Sequence, residues 1–402
     1  MNKAQTTRLA LVAQRNEIKP LYPNLPKETL IDGDLADWIA QILDGTLAYN
    51  EKLGWLRWTG KVWEPKSVAH VRKIVLDTFK LMRKVAKTQG VPEDFRLKIK
   101  KLRSNAKVKA VTELMQSTCE VEEIFFNERL AFINAQNGIV DLRTGQILPH
   151  DKAFGCRKIT RVDYVPGCTH PDWEQGLTAL SNQEARWLQE ITGQAITGYA
   201  SPEDKVNVLP GTSQNGKSVY VNGVTAALGD YVVHATEKAL VSSRWDHPTE
   251  KMQVFGARVV FIEELPEEAQ IDGKRLKDMT GRTMAARGIG KDNINWISTH
   301  TIFVTTNYKV QMSGNDMSVM RRVRLIPFRK VYTQNPKPGE LKVDMGLKPR
   351  IEEGLDGQHE AVLAWAVEGA ARWFRNKRQI SAPPATIEDY NKAWRKPASR
   401  FE

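Results

Sequence analysis

Apolar positions along the chain follow two different periods. In "KSVAHVRKIVLDTFKLMRKVAK" they recur at Val68, Val71, Val75, Met82 and Val85, the spacing of one helix face. "NQEARWLQEITGQAITGY" reads as another helix, and "HEAVLAWAVEGAARWFRNKR" as a further amphipathic one that Pro383-Pro384 separates from a short basic C-terminus. Between these two lie short runs that are almost wholly apolar: "KVNVLP" (205–210), "ARVVFIEE" (257–264), "THTIFVTTN" (299–307) and "RVRLIPF" (322–328). Apolar strands alternating with helices predict an α/β fold with a parallel sheet covered on both faces.

The N-terminal half is patterned differently. "GWLRWTGKVWEP" (54–65) predicts a hairpin in which Trp55, Trp58 and Trp63 flank a Thr59-Gly60 turn. Three such rings pack a small core or offer a platform for stacked bases, and the first use is the commoner. "NAQNGIVDLRTGQILPH" (134–150) sets two glycine-containing turns around short strands. Residues 1–28, with Pro20, Pro23 and Pro26 and little periodicity, read as a tail or linker. The expected division is therefore 1–28 tail, 29–195 a mostly helical domain with a small β part, 196–332 an α/β domain, and 333–402 a helical C-terminal segment. No internal repeat is visible.

Composition narrows the class of function. A chain of 402 residues with 41% hydrophobic content can build two or three domains with cores of their own. Mean hydropathy is −0.44, and no apolar run is long enough to cross a bilayer. "MNKAQTTRLALVAQRNEIK" lacks the apolar stretch and cleavage site of a signal peptide. A cytoplasmic protein without a membrane partner is expected. Cys119, Cys156 and Cys168 form no CxxC pair, which argues against a zinc ribbon or a disulfide framework. The net charge of +12 points to a polyanionic partner. From Lys80 to Lys109 there are eleven Lys or Arg against two acids, Glu93 and Asp94. That run is either a solvated helical face or a surface for phosphates.

"GTSQNGKS" (211–218) fits G-x-x-x-x-G-K-[ST] in full, with an apolar strand before it and a helical pattern after it. Gly211 and Gly216 let the intervening backbone (Thr212, Ser213, Gln214, Asn215) curl so that its N–H groups face phosphate oxygens. Lys217 can reach β- and γ-phosphates and Ser218 can ligate Mg²⁺, which implies ATP and Mg²⁺ as cofactors. Hydrolysis needs an acidic element, and "VVFIEE" supplies Glu263 for the metal and Glu264 for the attacking water, in roles that could be exchanged. Asn307, ending the next strand, can orient water or touch the γ-phosphate. Arg321 and Arg322 precede the last strand, where an arginine supplied across a subunit boundary could stabilise departing phosphate.

"GTSQNGKS", "VVFIEE", "IFVTTN" and "MRRVRLIPF" in this order resemble a superfamily III helicase of the branch associated with phage, plasmid and poxvirus primases. "GWLRWTGKVWEP" and "NGIVDLRTGQILPHD" are similar to that branch's N-terminal domain, and "VLAWAVEGAARWF" to its C-terminal helix, so the likeness runs from about residue 30 to 400. It implies an AAA+-like P-loop ATPase at 196–332 and a primase-helicase-associated domain at 29–195. It further implies a homo-oligomeric, usually hexameric ring that unwinds DNA by translocating along one strand, typically 3′ to 5′. Single-stranded or forked DNA and a primase or polymerase are the implied partners. On this resemblance Arg322 matches the arginine finger better than Arg321. "RLKDMTGRTMAARGIGKDNINW", with Lys277 and Gly281 opening the related segment, implies a hairpin projecting into the ring. The residues agree: "TMAARGIG" and "NINWISTH" read as strands around a 290–293 turn, where Lys291 first and Arg287 second could grip a DNA phosphate. The family's acidic residue near 282–283 and its proline after the sensor asparagine have no counterpart here. No primase-like half is visible, so the chain is expected to be a separate helicase subunit or a piece of a longer protein. The alternative from another class is an origin-binding or helicase-loading protein whose ATP site acts as an assembly switch. A metabolic P-loop kinase would leave the arginines and the hairpin without a role.

Overall fold

The computed structural model describes residues 30–88, 91–122, 129–200, 203–241, 250–287, 293–312 and 317–395. The chain forms two compact units, one comprising Met1–Asn127 with Asp151–Arg157, the other Glu128–His150 with Lys158–Glu402.

In the first unit, helix α1 (Asp32–Ile42) leads into an antiparallel sheet of β1 (Leu47–Asn50), β2 (Gly54–Trp58) and β3 (Trp63–Lys66). The hairpin foreseen from the sequence is β2–β3, with Trp58 opposite Trp63 and Thr59 N–H bonded to Val62 O at 3.0 Å. Helices α2 (Val68–Thr88), α3 (Glu93–Lys101) and α4 (Asn105–Thr118) follow. Val71, Val75, Phe79, Met82, Phe95, Ile99, Val108, Val111 and Met115 join Leu35, Ile39 and Trp55 in one core. Trp63 packs with Ala48 and Leu56 in a smaller cluster. Of the helix face read from the sequence, Val71, Val75 and Met82 are buried, whereas Val68 at the first turn is 44% exposed.

The second unit begins with the antiparallel β4 (Phe132–Ala135), β5 (Gly138–Asp141) and β6 (Gln146–Leu148). Helices α5 (Pro171–Leu177) and α6 (Asn182–Ile196) lead to β7 (Val206–Pro210), α7 (Lys217–Leu228), β8 (Val232–Ala235) and β9 (Val259–Ile262). Next come a two-residue β10 (Gln270–Ile271), α8 (Gly273–Thr280), the antiparallel pair β11 (Thr283–Arg287) and β12 (Asn293–Ile297), and β13 (Thr301–Thr306). After a short β14 (Gln311–Met312) and α9 (Met317–Met320) come β15 (Val323–Leu325), β16 (Tyr332–Thr333) and β17 (Leu341–Lys342). Helices α10 (Leu347–Glu353), α11 (Gln358–Arg375) and α12 (Ala385–Arg395) complete the described chain.

The centre is a five-stranded parallel sheet in the order β15-β7-β13-β9-β8, which accounts for the four apolar runs and adds β8 at one edge. Alternate residues serve opposite faces: Leu209, Val259, Phe261 and Phe303 join one core, while Val208, Val260, Ile262, Ile302 and Val304 join another. The expected α/β architecture is therefore present, with both faces of the sheet covered.

Two C-terminal helices extend the sequence reading. Helix α11 is amphipathic as its pattern predicts, with Val362, Val367, Ala370 and Trp373 buried and Glu368 and Arg375 exposed. Glycines make its approach to α6 possible: a Cβ on Gly193 would lie 2.1 Å from Ala370 N, and one on Gly369 would lie 2.1 Å from Gln189 O. The segment after Pro383-Pro384 is more than a basic terminus. It forms α12, with the prolines just ahead of its first turn, where a missing N–H costs nothing. Asn391 of α12 accepts from Leu325 N and donates to Leu325 O, each at 2.9 Å, so its amide satisfies backbone groups of edge strand β15.

The close α6–α11 approach makes a direct prediction. Gly369→Ala must push backbone off backbone, and a thermal melt is expected to shift down by several degrees, equivalent to about 2 kcal/mol or more. Gly33→Ala, where a Cβ meets nothing within 4 Å, should leave the melt unchanged. Equal melts for the two variants would contradict the packing.

Candidate functional site

The C-terminal ends of the parallel strands gather the polar groups. Strand β7 runs into the 211–218 loop, whose glycines are required by space and by backbone angle. A Cβ on Gly211 would sit 2.1 Å from Asn215 Nδ2 and 2.4 Å from Phe328 O, and Gly216 has φ of +88°. Buried Asn215 fixes the loop from within, donating to Phe328 O at 3.2 Å and accepting from Lys217 N at 3.4 Å. Tyr332 N donates to Gln214 O at 2.9 Å, which ties β16 to the same loop.

Lys217 begins α7 and is 8% exposed. Its Nζ donates to the carbonyl of Gly211, to Thr212 O at 3.1 Å and to Asn307 Oδ1 at 2.9 Å. Burial pulls its pKa down to about 8 from the ordinary lysine value, since these neutral acceptors only partly replace water around the ammonium. Asn307 can reach Lys217 because β13 pairs directly with β7, Thr306 opposite Pro210.

On the other side of β13 lies β9, and Glu263 and Glu264 follow it. Glu264 takes a left-handed backbone, φ +58°, and its N–H donates to Thr305 Oγ1 at 3.2 Å. Glu263 is engaged by a residue that the sequence reading missed. His234, on edge strand β8, lies 2.9 Å through Nδ1 from Glu263 Oε1 and 3.1 Å through Nε2 from Thr225 Oγ1 of α7. A ring protonated on Nδ1 satisfies both contacts, donating to the carboxylate and accepting from the hydroxyl. This hydrogen bond from His234, opposed by burial, holds the Glu263 carboxyl below its usual range. Nothing in the local sequence links His234 to Glu263; only the β8–β9 pairing brings them together.

A cleft of about 880 Å³ joins these groups. Thr212 to Ser218, Glu263, Glu264 and Asn307 all line it, together with Tyr332, Val343, Asp344, Met345 and Leu347 to Pro349. Gly211 lies beneath, bonded to Lys217. Arg321 and Arg322 are elsewhere. Arg322 O accepts from Val206 N, so both sit at the N-terminal end of the strands, about 16 Å of β7 away from the loop. The Arg322 guanidinium is tied to Asp204 Oδ2 at 3.0 Å and to Thr280 Oγ1 at 3.1 Å, whereas Arg321 is exposed and its side chain makes no hydrogen bond or ion pair among the described residues. Arg287 ends β11 opposite Asn293, and Lys291 lies outside the described residues. Among the described residues, no three His, Cys, Asp or Glu side chains converge as a metal cage.

Residues 36–181 match the family described as D5 N terminal like. Over 262 residues the chain is 25% identical to the uncoating factor OPG117 of Monkeypox virus and of Vaccinia virus (strain Western Reserve). Over 256 residues it is 23% identical to the primase D5 of Fowlpox virus (strain NVSL). These similarities support a primase-associated, superfamily III helicase-like protein. These matches take in 59% of this chain and 32% of each relative, so the chain spans about a third of the length of the curated relatives it matches. Among solved structures, the apo structure of the NrS-1 C terminal region is similar with a TM-score of 0.49 at 10% identity, over 90% of this chain and 76% of that one.

The loop geometry carries its own test. Gly211→Ala places a methyl group against Asn215 and Phe328, so amide exchange across residues 211–218 should speed by about tenfold or more while the β1–β3 sheet keeps its protection. Unchanged exchange in the loop would show that Gly211 is not needed for its shape.

Proposed function

We propose that the second unit houses an AAA+-like P-loop ATPase that takes ATP with Mg²⁺, and that the protein is a replicative DNA helicase forming a ring and translocating on single-stranded DNA. The observation that carries the reading is the single cleft holding the 211–218 loop, Lys217, Ser218, Glu263, Glu264 and Asn307. The ATPase region corresponds to 196–332, between a primase-helicase-associated domain at 29–195 and the C-terminal helices.

Each residue then has a task. The loop N–H groups and the N-terminus of α7 receive the phosphates, and Lys217 exchanges its carbonyl partners for β- and γ-phosphate oxygens. That exchange gives the buried ammonium a true counter-charge. Ser218 and Glu263 offer the hard oxygen donors that Mg²⁺ prefers alongside phosphates, so the sparse protein donor set fits a metal that arrives with its nucleotide. The ion supplies charge neutralisation on the phosphate oxygens. Glu264 accepts the proton of the attacking water, and Asn307 orients that water or the γ-phosphate. His234 holds Glu263 in place from behind.

Arg321 and Arg322, a strand's length from the cleft of their own chain, can serve only the cleft of a neighbouring copy. A ring with ATP between subunits satisfies that requirement. The similarity to a protein named primase D5 supports a replication role, and the net charge of +12 suits a nucleic acid partner. The β11–β12 hairpin, with Lys291 and Arg287, is the proposed grip on the strand, and a primase or polymerase the proposed companion.

Purified protein is expected to hydrolyse ATP faster when single-stranded DNA is added at low salt, and to displace a strand from a fork. Blank results in both assays reject the helicase reading. Lys217→Ala should abolish nucleotide binding. Of Arg321→Ala and Arg322→Ala, the variant lacking the finger should bind ATP normally yet lose about 10³-fold in turnover and poison mixed rings. His234→Ala should lower kcat about tenfold with KM held, and His234→Asn should restore much of it. An unchanged kcat in His234→Ala would mean that Glu263 needs no such support.

A further inference from the structure

Outside the cleft, the largest unexplained feature is the charge of the first unit. The 80–109 stretch carries nine of the chain's twelve net positive charges. It is spread over the second half of α2, all of α3 and the start of α4, whose apolar sides are consumed by the core described above. Nine of the eleven cations are exposed, and Arg96 and Lys107 are half-buried. On α2, Lys80, Arg83, Lys84 and Lys87 follow the i, i+3, i+4, i+7 spacing of one stripe, a row about 10 Å long. On α3, Lys98 and Lys101 stand one turn apart with Lys100 beside them.

A merely solvated face is usually laced with acids three or four residues away. Within this stretch only Lys80 with Asp77, Lys107 with Asp32, and Lys109 with Glu113 form ion pairs among the described residues. Arg83, Lys84, Lys87, Lys98, Lys100 and Lys101 have none there, and all six are exposed. Packing like charges together without neutralisation costs stability, which a bound polyanion would offset.

The rings of the unit identify the polyanion. Proteins that hold single strands stack bases on exposed aromatic side chains. Trp38, Trp55, Trp63, Phe79 and Phe95 are buried, Tyr49, Trp58 and Phe154 are half-buried, and no aromatic residue of this unit is exposed among the described residues. Cations without a stacking platform suit a duplex, whose bases are already stacked and whose phosphates alone face outward. We infer that the exposed cationic face of α2 and α3 is a second DNA site, one that holds the backbone of double-stranded DNA without reading its sequence. The inference rests on the proposed function only for the choice of DNA as polyanion, and it does not involve the ATP cleft.

The test uses the full chain and a fluorescent 30-base-pair duplex without nucleotide, titrated at several salt concentrations. A variant carrying Arg83→Glu, Lys87→Glu, Lys98→Glu and Lys101→Glu is expected to bind at least tenfold more weakly. Its slope of log affinity against log salt should be flatter by about three. Lys217→Ala should bind the duplex as the wild type does. A milder variant with Gln at the same four positions, checked by melting, should lie between the two and guards against unfolding as the cause. Wild-type affinity and slope in the folded Gln variant would overturn the inference. So would a loss confined to a single-stranded 30-mer with duplex binding intact. If the wild type binds the duplex through this face but never hydrolyses ATP, the helicase reading fails and this one stands.

Discussion

The site depends on one pairing: β7 alongside β13, parallel and in a register that sets Pro210 opposite Thr306. Both strands end at the same level, so the residue after β13 and the loop after β7 share a space. Lys217 bridges them, its ammonium 2.9 Å from Asn307. A shift of one residue would turn the inward side chains of β13 to the opposite face and take Asn307 away from the lysine. Both faces of the sheet are buried, which fixes that register strongly.

The same pairing logic extends outward. β13 also pairs with β9, bringing the acidic pair to the far side of Asn307, and β9 pairs with β8, bringing His234 behind Glu263. Four strands thus deliver a cation, an amide, two carboxylates and an imidazole to one end of the sheet. The opposite end holds Arg321 and Arg322. A parallel sheet separates them by the full strand length, so neither arginine reaches the cleft of its own chain.

Much of this was legible in the sequence, and the reason is local. The glycine loop, the acids after an apolar run and the asparagine after another are each written in contiguous residues, and a buried parallel sheet leaves long apolar runs that cannot be mistaken for solvated strands. The β2–β3 hairpin was equally plain from Thr59-Gly60 between tryptophans. What escaped depended on contact between distant segments. His234 looks like an ordinary residue of "YVVHA" until β8 is placed beside β9. Asn391 looks like a polar residue in a basic tail until α12 lies along β15, and the Gly193–Ala370 approach has no signature in either helix alone. The use of the tryptophans as core also needed their burial to be seen.

The account turns on Lys217 leaving its carbonyl partners for phosphate. A structure of the full chain with Mg²⁺ and a non-hydrolysable ATP analogue measures this directly. The predicted result is the triphosphate cradled by residues 211–218, with Lys217 Nζ moved to within hydrogen-bond distance of its β- and γ-oxygens and an arginine of an adjoining copy at the γ-phosphate. A nucleotide bound elsewhere, or Lys217 still resting on Gly211 and Thr212 with the analogue in place, would contradict it.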